Sequence, residues 1–316
     1  MKKADIIICG VPRDKDRMKQ TILEMTGLRN EGYVENIIFS TWKNYLTDDY
    51  REILDGSTIL EKDEPEDRGV RGHIWCQMKS FENGLNECNK ENYVLKIRTD
   101  LYICPYFVKS LISKAENYLY RNYKEGDIFI EKVWIPYVEI TKPFYMPDEI
   151  FFGNHNDISL LYNYDKSYDD LAGKDGGGET HIRRFIYPFI DKYPILYDYI
   201  EEIRQDNCTI LNSPKRFERL VDNLNRSKYI KYLSIYYKIL YEYFRIWNEI
   251  GKMSWYQLYC QPVIQLENDR FIENFHSSKC FLGQRIFCYD DKWIYNIMER
   301  RIEHPKAIEI YNISRS

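Results

Sequence analysis

The sequence is short of the features that mark whole classes of protein. No stretch of its 316 residues supplies the roughly 20 apolar positions that a membrane-spanning helix needs. A basic excess is missing too: 45 Lys and Arg stand against 49 Asp and Glu, for a net charge of −4. Duplex-binding proteins carry a positive field that displaces phosphate counterions, so no nucleic acid is expected as a partner. His155, His181 and His276 have no partner at metal-ligand spacing and read as structural or surface histidines. The eight cysteines include no CxxC pair, which argues against a structural zinc site. Cys9 and Cys104 lie in apolar stretches and read as core thiols. Met1 to Gly10 imitates a signal peptide only faintly. Its short apolar run contains Asp5 and leads into Pro12-Arg13-Asp14-Lys15-Asp16-Arg17 without a small-residue cleavage pattern. The expectation is a soluble, cytoplasmic protein in a reducing compartment, with membrane contact, if any, peripheral at the inner membrane.

Residues with 44% hydrophobic and 30% charged character suffice for a full core and a solvated surface. The 29 tyrosines, with many Ile, Lys and Asn, read as AT-rich coding bias rather than as a functional class. Residues 4–9 form a short apolar run of β-branched type, read as a buried strand. Asp14 is placed to cap a helix whose core face is Met18, Ile22 and Met25. Residues 36–39 form a second strand, and this strand–helix–strand crossover favours a parallel pair. Ser57 to Leu60 reads as a third strand. Residues 71–88 read as a helix with Ile74, Met78, Phe81, Leu85 and Cys88 on one face. The strand Tyr93 to Ile97 ends in Arg98-Thr99-Asp100, and Pro105 opens a helix with Phe107, Leu111, Ala115 and Leu119 inward. Residues 127–140 and Glu149 to Phe152 are β-rich. Asp175-Gly176-Gly177-Gly178 is the one Gly-rich segment, and Lys174 to Gly178 reads as a lid. Beyond it the pattern is helical from Glu179 to about Ile250, with breaks near Tyr193-Pro194 and Ser213-Pro214. It turns β-like over 258–288 and helical again over Asp290 to Arg300. Leu233, Tyr237, Leu240, Phe244 and Trp247 recur at helical spacing and read as core rather than as a sugar-stacking or membrane face. The fold class is α/β: a mainly parallel sheet flanked by helices over residues 1–165. A mainly helical part over 166–316 follows, with a small β segment near 258–288.

Arg98-Thr99-Asp100 is the most informative tripeptide. An apolar strand that ends abruptly in polar groups sets them at the carboxyl edge of a sheet, where ligands of open α/β folds collect. Asp can hold a divalent metal or a ribose hydroxyl there, and Arg can pair with phosphate. A strand-end salt bridge would give the same letters. Trp42 can stack on a base, though a buried core Trp is the commoner outcome. Arg13, Arg68 and Arg71 are candidates for a phosphate cradle.

Several segments, in order, resemble the WavE-type lipopolysaccharide synthesis family. Gly10-Val11-Pro12 after the first strand resembles its opening, and Ile37-Ile38-Phe39-Ser40-Thr41-Trp42-Lys43 resembles its second-strand exit. Lys62-Asp63-Glu64-Pro65 is similar to its Asp-Pro turn, and Arg71 through Gln77 to Gly84-Leu85 to its Arg/Gln-bearing helix. Val94 to Asp100 is the strongest match, and Pro147-Asp148-Glu149-Ile150-Phe151-Phe152-Gly153 resembles a later segment. The similarity covers about residues 4–165, with Glu179 a further match. The resemblance implies a GT-A-like glycosyltransferase. Such an enzyme moves sugar from a nucleotide-sugar donor to an oligosaccharide or lipid-linked glycan acceptor in bacterial lipopolysaccharide or capsule synthesis. It implies donor binding by Gly10, Pro12, Arg13, Thr41, Trp42, Arg71, Gln77, Arg98 and Asp100. Asp148, Glu149 and Glu179 are the candidate catalytic bases, with Asp157 a rival. GT-A enzymes usually carry Asp-x-Asp at this strand end to hold Mn²⁺ or Mg²⁺. Here the first acidic position is Arg98, so only Asp100 remains as a metal ligand and the metal requirement stays open. A sugar-phosphate nucleotidyltransferase and a non-catalytic assembly scaffold are the rival readings.

Overall fold

The computed structural model describes residues 2–65, 74–117, 127–139, 143–144, 146, 149–162, 185–205, 226–246, 287–288, 291–301 and 305–315. The chain divides into two compact units. One holds Met1–Arg68, His73–Trp134 and Asp148–Tyr164; the other holds Gly69–Gly72, Ile135–Pro147 and Asp165–Ser316.

The first unit is built on β1 (Ala4–Cys9), α1 (Lys15–Asn30), β2 (Val34–Trp42), α2 (Asp48–Ile53), β3 (Thr58–Lys62), α3 (Ile74–Leu85), β4 (Tyr93–Arg98) and α4 (Pro105–Asn117). β5 (Val133–Ile135), β7 (Ile150–Asn154) and α5 (His155–Leu160) complete it. The strands run in the order β3-β2-β1-β4-β7-β5. β3, β2, β1 and β4 are parallel, whereas β7 lies antiparallel to both β4 and β5. The expected α/β architecture with a mostly parallel sheet between helices is therefore present.

Every residue of β1 is buried, as a central parallel strand covered on both faces requires. α1 packs on β2 on one side, and α3 packs on β1 and β2. The chain steps from β1 outward to β3 and then returns past β1 to β4. Right-handed crossovers in opposite directions set the connecting helices on opposite faces. Asp14 caps α1, its Oδ1 accepting from the Arg17 N–H at 3.1 Å, and Met18, Ile22 and Met25 are buried as read. In α3, Met78, Phe81 and Leu85 are buried, and Gly84 lets the helix sit directly on β1. A Cβ there would lie 2.5 Å from Ile7 Cγ2. Ser40 and Ser80 lock the same contact, each hydroxyl donating to the other residue's carbonyl, at 2.6 and 2.7 Å.

Several element readings need correction. The second strand runs two residues longer than expected at its amino end and three at its carboxyl end, where it takes in Trp42, because Ser40 and Thr41 are buried within the sheet instead of starting a loop. The inner face of α4 is Phe107, Val108, Leu111 and Ile112, with Ala115 half-buried; Leu119 lies outside the described residues. Cys9 is a core thiol, but Cys104 is only partly buried.

The second unit contains β6 (Val138–Glu139), α6 (Ile195–Gln205), α7 (Arg226–Tyr243), β8 (Phe244–Ile246), β9 (Phe287–Cys288), α8 (Lys292–Met298) and α9 (Pro305–Arg315). β6 and β9 pair antiparallel, and α7 packs against α8 and α9. Among the described residues its largest fully buried side chains are tyrosines: Tyr199, Tyr232, Tyr236, Tyr237 and Tyr243, with the Tyr199 hydroxyl donating to Pro143 O at 3.2 Å. These five serve as core packing whatever the origin of the tyrosine excess. Leu233, Tyr237, Leu240 and Phe244 are buried as read; Trp247 and the Ser213-Pro214 break lie outside the described residues. The helix ends at Tyr243, not near Ile250, because Phe244-Arg245-Ile246 switches to the alternating burial of a strand. Among the described residues, no helix is long and apolar enough to cross a membrane.

Candidate functional site

The strand order reverses beside β1: its sequence successor β2 lies on one side and β4 on the other. At such a switch point the loops leaving the two strands diverge and open a crevice at the carboxyl edge. A cavity of about 200 Å³ lies there. Its walls come from the exits of β1 (Gly10, Val11, Arg13), β2 (Trp42, Tyr45) and β4 (Arg98, Thr99, Asp100), with Glu64 after β3 and Cys76 and Gln77 from α3.

Backbone geometry shapes the floor. Gly10 has φ of +120°, a conformation that side-chain-bearing residues rarely adopt, and a Cβ would meet Thr99 Oγ1 at 3.4 Å. Thr99 in turn donates to Val11 O at 2.6 Å, binding the β1 exit to the β4 exit. On that floor stands a charged triad. Arg98 Nε donates to Asp100 Oδ1 at 2.9 Å and its Nη2 to Oδ2, a bidentate fork. Arg13 Nη1 reaches the same Oδ2 at 3.4 Å. Asp100 is 11% exposed and Arg98 20%, while Arg13, at 59%, stands at the mouth.

The opposite end of the cavity differs in chemistry. Trp42 is almost fully buried, and the Tyr45 hydroxyl donates to Glu64 Oε2 at 2.9 Å, which pushes the phenol pKa up. Trp42 and Tyr45 leave β2 and Glu64 follows β3 on one side of β1, whereas Arg98 and Asp100 leave β4 on its other side. The cleft is therefore polarised, with guanidinium groups at the β1–β4 end and an aromatic ring with a carboxylate at the β2–β3 end.

No protein family matches this chain, and none of the curated proteins matches it.

Of the residues singled out from sequence, Gly10, Arg13, Trp42, Gln77, Arg98 and Asp100 come together around this cavity. Pro12 and Thr41 are not among its lining residues; Thr41 is fully buried in β2. The register pairs Ile97 with Ile150, which sets Glu149 level with Arg98 at the same carboxyl edge. Asp148, Glu179, Arg68, Arg71, His181, His276 and the Lys174 to Gly178 loop lie outside the described residues. Gln77 Oε1 is a buried acceptor with no hydrogen-bond partner.

Two candidates sit elsewhere. His155 is buried, its Nε2 3.2 Å from Leu85 O, a structural histidine as expected. Asp157 occupies the first turn of α5 and accepts from the backbone N–H groups of Ile130 and Glu131, each at 2.8 Å. Burial pushes its carboxyl pKa up to about 6 against those two hydrogen bonds. It follows the end of β7 that pairs with Tyr93, at the amino edge of the sheet, away from the cavity. Among the described residues, no three His, Cys, Asp or Glu side chains are grouped to hold a metal.

Tyr45, Glu64 and Thr99 were not singled out in advance. Thr99 sits inside the Arg-Thr-Asp tripeptide and Glu64 inside the Asp-Pro turn, so both carried a motif-level signal. Tyr45 carried none: it is brought in by a turn in which Asn44 adopts φ of 69°.

Proposed function

We propose that the chain is a GT-A-like glycosyltransferase that uses a nucleotide-sugar donor. The observation that carries this reading is the polarised cleft at the β1–β4 switch point. Its cationic end suits a diphosphate, and its Trp42–Tyr45–Glu64 end suits a flat base with hydrogen-bond donors. At about 200 Å³ the cavity is smaller than an ordinary ligand pocket, so it would take only part of the donor nucleotide, the rest lying outside it. Arg13 and Arg98 would stabilise the departing diphosphate, which is where charge builds up as the glycosidic bond breaks. Glu149, at the same edge, is the candidate general base for the acceptor hydroxyl, together with Asp148 and Glu179. Most of the rate enhancement would come from positioning. The acceptor, an oligosaccharide or lipid-linked glycan in lipopolysaccharide or capsule synthesis, rests on the family resemblance alone.

A thermal-shift panel of UDP, GDP, CDP, ADP and their sugar conjugates tests the reading. One base class should raise the melting temperature, and Arg13→Ala should reduce that shift. If no nucleotide shifts the melting temperature, the nucleotide-sugar reading fails.

A further inference from the structure

We infer that Arg13, Arg98 and Asp100 form a diphosphate site that works without a divalent metal ion, Arg13 being the phosphate ligand and Asp100 a positioning residue. The inference rests on the nucleotide-sugar reading and goes beyond it by deciding how the charge of the donor is met.

A metal-dependent site of the GT-A kind needs carboxylate oxygens that face the cation. The residues here do not fit that requirement. Both oxygens of Asp100 already accept from guanidinium groups, Oδ1 from Arg98 and Oδ2 from Arg98 and Arg13. A divalent cation approaching Asp100 would have to displace those donors and then sit between two positive groups. Among the described residues, no three His, Cys, Asp or Glu side chains are grouped to hold a metal.

With two guanidiniums against one carboxylate, the triad itself favours a phosphate over a cation. Its parts divide the work. Arg98 is held flat by the bidentate fork, and the fork occupies both oxygens of Asp100. Arg13 spends only Nη1 on that carboxylate and is mostly exposed at the mouth, so its remaining N–H groups point to where a ligand enters. Asp100 thus tethers Arg13 next to Arg98, and an incoming diphosphate can take Arg13 over as its own partner. The guanidinium pair supplies the neutralisation that a metal supplies elsewhere.

Isothermal titration of the full chain with inorganic pyrophosphate and with UDP, GDP, CDP and ADP, in EDTA and in Mn²⁺ or Mg²⁺, tests this. The expected result is binding of pyrophosphate and of one nucleoside diphosphate in EDTA, within about threefold of the affinity in metal. Arg13→Ala should weaken both ligands about tenfold or more at an unchanged melting temperature, and Arg13→Lys should recover part of the loss. Asp100→Asn should weaken binding in EDTA without creating a metal requirement. Binding that disappears in EDTA and returns with Mn²⁺ or Mg²⁺ would overturn the inference and leave the nucleotide-sugar reading standing. Metal-free binding of pyrophosphate but of no nucleoside diphosphate would keep the anion site and remove that reading. No binding of any of these ligands in either medium overturns both.

Discussion

The two edges of the first unit's sheet both carry buried carboxylates, and they treat them in opposite ways. At the amino edge, Asp5 is fully buried and accepts from four neutral donors. These are Asn36 N–H, Asn36 Nδ2 and Asn92 Nδ2 on Oδ1, at 3.1, 2.9 and 3.1 Å, and Asn89 N–H on Oδ2, at 2.7 Å. Asp157, near the same edge, likewise captures two backbone N–H groups. At the carboxyl edge, Asp100 is held by side-chain guanidinium groups and borders a cavity. Neutral backbone and amide donors on fixed segments cannot swing away to a ligand, so they make a carboxylate into a clamp. A cation on a flexible, exposed stem can exchange its carboxylate for an anionic ligand, so it makes a site. The kind of donor, more than burial alone, separates structure from function here.

Truncation at each edge breaks the comparison most sharply. Asp5→Ala leaves two backbone N–H groups and two amides without their acceptor, and it should cost about 3–5 kcal/mol of unfolding free energy in urea denaturation. Asp100→Ala should instead change stability by less than about 1 kcal/mol and cut transfer at least about a hundredfold. Near-native turnover in that variant would put the chemistry elsewhere.

Asp157 offers an intermediate effect through pH. Its folded pKa of about 6 lies above the ordinary carboxyl value of 3.8, so the folded state binds the proton more tightly. The associated stability is therefore present below about pH 4 and is lost as pH rises through about 6, on the order of 3 kcal/mol. Urea melts from pH 4 to 7 should show the gap between the parent and Asp157→Asn shrinking across that window. A constant gap would mean that folding leaves the pKa of this carboxyl unshifted. Tyr45→Phe should have the smallest effect. Losing one half-exposed hydrogen bond to Glu64 should lower nucleoside diphosphate affinity by less than about tenfold, with no change in stability. A larger loss would give the aromatic end of the cleft a greater share of binding than the cationic end.

Local chemistry made much of the fold legible. The Ile run of β1 could only be a buried strand, Asp14 could cap only the helix that follows it, and Pro105 could open α4 but not continue one. Where two patterns overlapped, the reading slipped. The helical spacing of buried aromatics continued through Phe244 although the chain had already turned into β8. The sequence pattern leaves α9 out, although Ala307, Ile310 and Ser314 recur at helical spacing and are all buried. Polar Ser40 and Thr41 look like a loop and set Trp42 after β2 on sequence alone; buried pairing with β3 and the Ser40–Ser80 lock keep them in the strand.

By itself the sequence determined the periodicities and the strand that ends in Arg98-Thr99-Asp100, since these depend only on near neighbours in the chain. Only the tertiary structure decided that β4 lies beside β1, so that Arg13, 87 positions away from Asp100, closes on its carboxylate. It also decided that Tyr45 and Glu64 meet at the far end of the same cleft. Strand order is set by crossovers that bury both faces of the sheet together, and no local window of sequence carries that cooperative choice.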